Sequence, residues 1–280
     1  MRGLLSIISV VTVLINHVGV HALPTRQGIP QELFDDLTYY FKYASSAYSS
    51  DSCDRPNHNT MVAQFNDFIT DTQGFVARDD TRKEIVVALR GSTSPTDFVV
   101  DASLTLEMFQ VPGTFPPIGT TVHSGFQNAW NSVASQVISS VRSQLVSHPG
   151  YTIVTSGHSL GAALSSLAGI TLQQNFPFSP IRMYTYGQPR TGNDKYASWV
   201  NDKFGHNGYR DDGIPNVVPT VLGYRHHGME YWMKSDPPSP STVLVCAADG
   251  EDPTCSATVL SQGINAAHVS VNTQQNYSSS

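Results

Sequence analysis

A serine framed by glycines two residues away on either side, Gly157-His158-Ser159-Leu160-Gly161, is the stretch of this chain best suited to chemistry. The G-x-S-x-G spacing fits a sharp strand-to-helix turn that projects the serine oxygen, because a side chain at either glycine would strike the neighbouring strand or helix. The flanks agree: Tyr151 to Thr155 reads as a short strand running in, and about Ser159 to Gln174 as a helix running out. A serine at a helix start also has free N–H groups and the positive end of the helix dipole beside it, which suits the anion formed when a carbonyl is attacked. The competing reading is an ordinary N-capping serine after a glycine turn.

A serine hydroxyl attacks carbonyls only when a histidine takes its proton and an acid orients that histidine. Downstream of a nucleophile elbow the order is acid, then histidine. His268, the last of ten histidines and set in the loop-like Asn265-Ala266-Ala267-His268, is the candidate base. His158 should point away from the nucleophile, and His226-His227, ahead of the strand-like Met229 to Met233, suit structural roles. In Tyr209-Arg210-Asp211-Asp212-Gly213-Ile214-Pro215 a carboxylate stands where a strand gives way to a turn; Asp212 is the candidate acid, against the alternative of a solvated turn aspartate.

The elements that must position these groups alternate along the chain. Leu33, Phe34, Leu37, Tyr40, Phe41, Ala44 and Tyr48 form one stripe of a helix over about Gln31 to Tyr48. Met61 to Phe65, Gly74 to Arg78 and Glu84 to Leu89 read as strands, the last two joined by a hairpin turn. Residues 91–120, with four prolines, read as a long excursion outside the core. Beyond it come a long amphipathic helix through Phe126, Trp130, Val133, Val137, Val141 and Leu145, a strand at Arg182 to Tyr186, a helix at Lys195 to Phe204 and a strand from Gly208. This predicts an α/β fold of the α/β-hydrolase type, a mainly parallel central sheet with helices on both faces and antiparallel strands at its N-terminal side.

Composition narrows the setting. Hydrophobic residues make up 40% of the 280, enough for a sizeable core. Lys and Arg number 16 against 22 Asp and Glu, with no basic run to follow a phosphate backbone, so nucleic acid is not an expected partner. Residues 1–22 read as a secretory signal peptide, with Arg2, an apolar Leu4 to Leu14 and a small-residue exit at Ala22, leaving a single domain over 23–280 and an extracellular location. In that oxidising setting Cys246 and Cys255 are close enough for a local disulfide, and Cys53 is left as a buried thiol or an intermolecular link. No cysteine spacing suggests a metal site, no cofactor is called for, and a monomer is expected. Asn276-Tyr277-Ser278 is the sole glycosylation triplet.

Several motifs in order resemble the fungal class 3 lipases, a family of triacylglycerol lipases and feruloyl esterases. They are Leu89-Arg90-Gly91-Ser92, His123-Ser124-Gly125-Phe126 with Trp130, the elbow, Tyr186-Gly187-Gln188-Pro189-Arg190, Asp212-Gly213-Ile214-Pro215 and Glu230-Tyr231-Trp232. The resemblance implies a triad of Ser159, Asp212 and His268, and an oxyanion hole from Ser92 and the Leu160 N–H. It also implies a lid over about residues 93–104 whose apolar Phe98, Val99, Val100 and Leu104 meet a lipid interface. The implied substrate is a lipid or other hydrophobic ester, with a feruloyl or short-acyl esterase, or a non-catalytic binding protein on the same fold, as rivals. Two departures stand out: the lid has Phe98 where such lipases often carry tryptophan, and Cys53 has no late cysteine to pair with.

Overall fold

The computed structural model describes residues 26–49, 53–92, 104–204, 208–211, 218–233, 235, 237–247 and 250–258. The expected leader 1–22, Asp212, His268, the lid residues Phe98, Val99 and Val100, and Asn276 lie outside the described residues.

In chain order the strands are β1 Arg26–Gln27, β2 Thr60–Asp67, β3 Thr72–Asp79, β4 Glu84–Leu89, β5 Leu106–Met108, β6 Thr121–His123, β7 Thr152–His158, β8 Ile181–Tyr186, β9 Gly192–Asn193, β10 Gly208–Asp211, β11 Tyr224–Arg225, β12 Met229–Met233 and β13 Val243–Val245. The α-helices are α1 Gln31–Ser46, α2 Ser124–Ser147, α3 Leu160–Asn175 and α4 Asp194–Phe204. Nine strands form the main sheet in the order β1-β13-β12-β10-β8-β7-β4-β3-β2. Its middle, β12-β10-β8-β7-β4, is parallel. The expected antiparallel strands β2 and β3 are present, and a second antiparallel pair, β13 and β1, closes the other edge.

Every residue of β4 is buried, and the strand's alternation explains why. Ile85, Val87 and Leu89 enter the core formed with Phe126, Trp130 and Val133 of α2, Leu164 and Leu167 of α3, and Trp199 of α4. Val86 and Ala88 face the opposite core, under Leu37, Tyr40 and Ala44 of α1. A strand apolar on both faces requires helices above and below, which is the layering of a sheet with a parallel centre. The middle of α3 is buried all round, from Gly161 to Leu172, because it lies in the interior rather than at the surface.

At the starting end of β4, α1 is tied down by polar contacts. The Tyr40 hydroxyl lies 2.8 Å from each Glu84 carboxylate oxygen, Arg182 donates to the same hydroxyl at 2.8 Å, and the Tyr40 and Tyr184 rings stack at 4.0 Å. Burial raises the pKa of the Glu84 carboxyl, while Tyr40 and Arg182 oppose that shift.

The excursion after β4 departs from expectation. Phe109 and Val111 are buried in the core, β5 pairs antiparallel with β6, and a small second sheet runs β11-β9-β6-β5. The Gln127 side chain satisfies this segment's backbone, accepting from the Gln110 N–H at 2.7 Å and donating to the Met108 carbonyl at 3.1 Å. Prolines on both sides hide a short alternating run that such a partner can hold. Cys246 and Cys255 form a disulfide with a Cα–Cα distance of 6.1 Å, and Cys53 is half-buried and outside any disulfide.

Candidate active site

Strand β7 ends at His158 and helix α3 starts at Leu160, which leaves Ser159 alone at the bend. Its backbone, at φ 58° and ψ −126°, occupies a region that residues with a side chain rarely adopt. The surroundings hold it there: the Ser159 N–H donates to the Tyr186 carbonyl at 2.9 Å, and its own carbonyl accepts from the Ala162 N–H at 2.9 Å. A methyl at Gly157 would come within 2.0 Å of the Gly161 carbonyl oxygen. One at Gly161 would come within 2.2 Å of the Leu89 carbonyl oxygen. Both glycines are therefore steric requirements of the turn. The first N–H groups of α3, that of Leu160 among them, have no acceptor inside the helix and can stabilise negative charge close to the serine.

The chain leaving β4 lies against this bend. Arg90 is buried, donating to the Gln73 side-chain carbonyl and to the Asp71 carboxylate, each at 2.7 Å. A methyl on Gly91 would meet the Tyr48 hydroxyl at 2.0 Å and the His158 carbonyl oxygen at 2.6 Å, so backbone approaches backbone without a side chain between. The Tyr48 hydroxyl lies 2.9 Å from His158 Nδ1 and takes the Gly91 N–H as a further neighbour. Ser92 follows, half-buried, as the last described residue before the expected lid. Leu104, at the far end of the expected lid, is 36% exposed. In the sequence Tyr48 looks like one more apolar stripe residue; its hydroxyl tie to the bend carries no local signal.

His227 and His123 make contacts within the core and at a helix end. His227 Nε2 is 2.7 Å from the Ser166 hydroxyl, which is itself 2.6 Å from the Tyr196 hydroxyl, all inside the protein. His123 caps α2: its Nδ1 accepts from the Gly125 and Phe126 N–H groups at 3.1 and 3.4 Å, and its ring stacks on Phe126. That acceptor role needs a neutral ring, and burial pushes the His123 pKa down to about 4. The unfolded chain, titrating near 6.5, therefore binds the proton first. Stability should be full above about pH 6.5 and fall as the pH drops toward 4, by roughly 3 kcal/mol from this residue. Urea midpoints of wild type and His123→Asn, which retains a capping oxygen, check this: the slope between those pH values should flatten in the variant.

Among the described residues, Glu230 with Cys246 and Cys255 is the one cluster of metal-ligating types, and the disulfide engages both sulfurs. The acid candidate would leave β10 just after Asp211, which pairs with Tyr186 at the carboxyl end of the sheet, beside the bend.

Known proteins match this arrangement. A family model described as lipase (class 3) matches residues 86–222. A lipase of Rhizomucor miehei is 31% identical over 252 residues, covering 84% of this chain and 67% of the relative. A secreted alkaline triacylglycerol lipase of Penicillium cyclopium is 30% identical over 239 residues, covering 84% and 82%. The chain spans half the length of the matched Rhizopus lipases. A solved triacylglycerol lipase, reported with a serine protease triad as its catalytic centre, superposes with a TM-score of 0.78 at 28% identity, covering 88% of this chain and 96% of that one. With a parallel-centred sheet, a strained serine between strand and helix, and relatives matched over most of its length, the chain belongs to the class 3 lipase family.

Proposed function

We propose that this protein is a secreted triacylglycerol lipase, a single domain over 23–280 after removal of a leader at 1–22, that cleaves carboxylic esters of lipids through an acyl-enzyme on Ser159. The observation that carries the reading is the Ser159 backbone, held in a costly conformation by two crowded glycines at the head of a helix. Strain of this kind persists where it serves a function. In the proposed mechanism His268 takes the Ser159 proton as the oxygen attacks the ester carbonyl, and Asp212 holds the imidazole in the required tautomer. The Leu160 N–H and Ser92 receive the developing oxyanion, each donor contributing about 3 kcal/mol. The alcohol departs with the proton from His268, and water activated by the same histidine releases the acid. No metal or organic cofactor enters.

A lipid substrate is favoured by the surface at this end of the sheet. Since β3 and β4 pair antiparallel from Gly74 and Leu89, the β2–β3 turn lies at the end where β4 finishes, the same end of the sheet as the bend. Phe68 and Ile69 on that turn are 98% and 92% exposed. Val221, in the chain returning from the carboxyl end of β10, is 87% exposed. Apolar side chains left in water around a site suit contact with a lipid surface, with Phe98, Val99, Val100 and Leu104 as the lid.

Hydrolysis of an ester series from short soluble to long emulsified chains tests this. Rates should rise by at least tenfold above the concentration at which the substrate forms an interface. Cleavage of feruloyl or short soluble esters with long-chain triglyceride untouched would establish the esterase reading instead. Failure of a serine-directed phosphonate to label Ser159 in the folded protein would favour the binding protein.

A further inference from the structure

One hydroxyl reaches the bend from outside the strand and helix that form it. Helix α1 is fastened to the strands around the nucleophile: the Ser156 hydroxyl of β7 donates to the Tyr40 carbonyl at 2.8 Å, and the Tyr186 hydroxyl of β8 donates to the Leu37 carbonyl at 2.6 Å. Just past the helix the turn continues, with the Tyr48 N–H donating to the Ser45 carbonyl at 3.0 Å. Tyr48 is therefore delivered from a well-anchored support. Its hydroxyl accepts from the Gly91 N–H and lies 2.9 Å from His158 Nδ1. An amide can only donate, so the hydroxyl's own proton is available to the imidazole. Burial raises the Tyr48 pKa and keeps that proton on the oxygen.

The place of this contact gives it meaning. The ladder between β4 and β7 ends with Leu89 opposite Gly157, and beyond that pair one chain leads to Ser92 and the other to Ser159 and Leu160. The Tyr48 hydroxyl joins them again at Gly91 and His158, each one residue short of a residue with a proposed role in the reaction. A methyl at Gly91 would strike both the hydroxyl and the His158 carbonyl oxygen, so there is no slack between the two chains. We propose that Tyr48 is a positioning residue for the oxyanion hole: its bridge between Gly91 and His158 sets the separation of the Ser92 and Leu160 donors. The inference rests on the reading of those two residues as the donors. A hydroxyl suits the task because one atom accepts and donates at once, whereas a phenylalanine ring would fill the same space and make neither bond.

The test uses the full chain, a short soluble ester and an alkyl trifluoromethyl ketone, whose adduct with Ser159 places a negative oxygen in the hole. The quantities measured are kcat, KM, ketone affinity and Tm, for Tyr48→Phe, His158→Asn, His158→Leu and Ser159→Ala. Deleting an oxyanion donor costs about 100- to 1,000-fold in kcat, and displacing one costs part of that. Tyr48→Phe should lower kcat by roughly 10- to 100-fold, weaken the ketone by a similar factor and leave KM within about twofold. His158→Asn keeps a side-chain acceptor near the place of Nδ1 and should retain roughly tenfold more kcat than His158→Leu, which keeps none. A kcat and ketone affinity within about twofold of wild type in Tyr48→Phe would overturn the inference even with a lowered Tm. So would a kcat loss that spares the ketone, since the damage would then lie outside the hole. Should Tyr48→Phe not fold, equal losses in His158→Asn and His158→Leu would overturn it. Equal ketone affinity in wild type and Ser159→Ala would instead remove the acyl-enzyme reading on which it stands.

Discussion

Ser159→Ala is expected to reduce ester turnover by roughly 10⁶-fold, the scale seen when the nucleophile of a hydroxyl-histidine-acid unit is removed. The fold should survive. The residue's backbone is fixed by its bonds to Tyr186 and Ala162, which are main-chain contacts that alanine keeps. Alanine also suffers the positive φ no more than serine does, since both carry one Cβ. Measurement of kcat alongside Tm separates the two effects: a Tm within a few degrees of wild type with activity at background would fit. Activity within tenfold of wild type would remove Ser159 from the chemistry.

The second large effect is structural in origin and functional in outcome. Gly161→Val should destabilise the protein by at least about 3 kcal/mol and abolish activity, because forced overpacking costs 1–3 kcal/mol even where neighbours can yield. Here the obstacle is backbone: the added carbon would sit 2.2 Å from the Leu89 carbonyl oxygen and 2.8 Å from the Arg90 carbonyl carbon. Relief requires pushing the start of α3 away from the end of β4. That moves the Leu160 N–H relative to Ser92, so any protein that folds should show a kcat loss beyond its stability loss. Thermal melts and kcat on the soluble fraction measure the two parts, and wild-type values for both would contradict the geometry.

Features with a local, repeated signal were legible in the sequence. The stripe Leu37, Tyr40 and Ala44 places α1, and these residues are buried beneath it. The elbow is readable because its glycines, incoming strand and outgoing helix are contiguous. The disulfide is readable because its cysteines lie nine positions apart. What the sequence hid depends on partners distant in the chain. Strand β5 and the buried Phe109 and Val111 sit among prolines and are held by Gln127 and by β6. The strands of the small sheet are too short to show a period. Nothing near Arg190 signals a carboxylate 61 residues away, and nothing near Tyr48 signals the histidine at the bend. Asp212 and His268, outside the described residues, rest on chain order and on the motifs that carry the family resemblance.

Closure of the main sheet has a consequence for how the chain is made. The first described strand, β1, completes the sheet by pairing with the last, β13. While a ribosome is still extending the polypeptide past β12, the margin that will receive Val243–Val245 stays open, and Arg26–Gln27 has nothing to join. The hydrogen bonds between β1 and β13 must therefore wait until synthesis has passed Val245, a demand that slows acquisition of the native state and leaves a sticky border exposed in the interim.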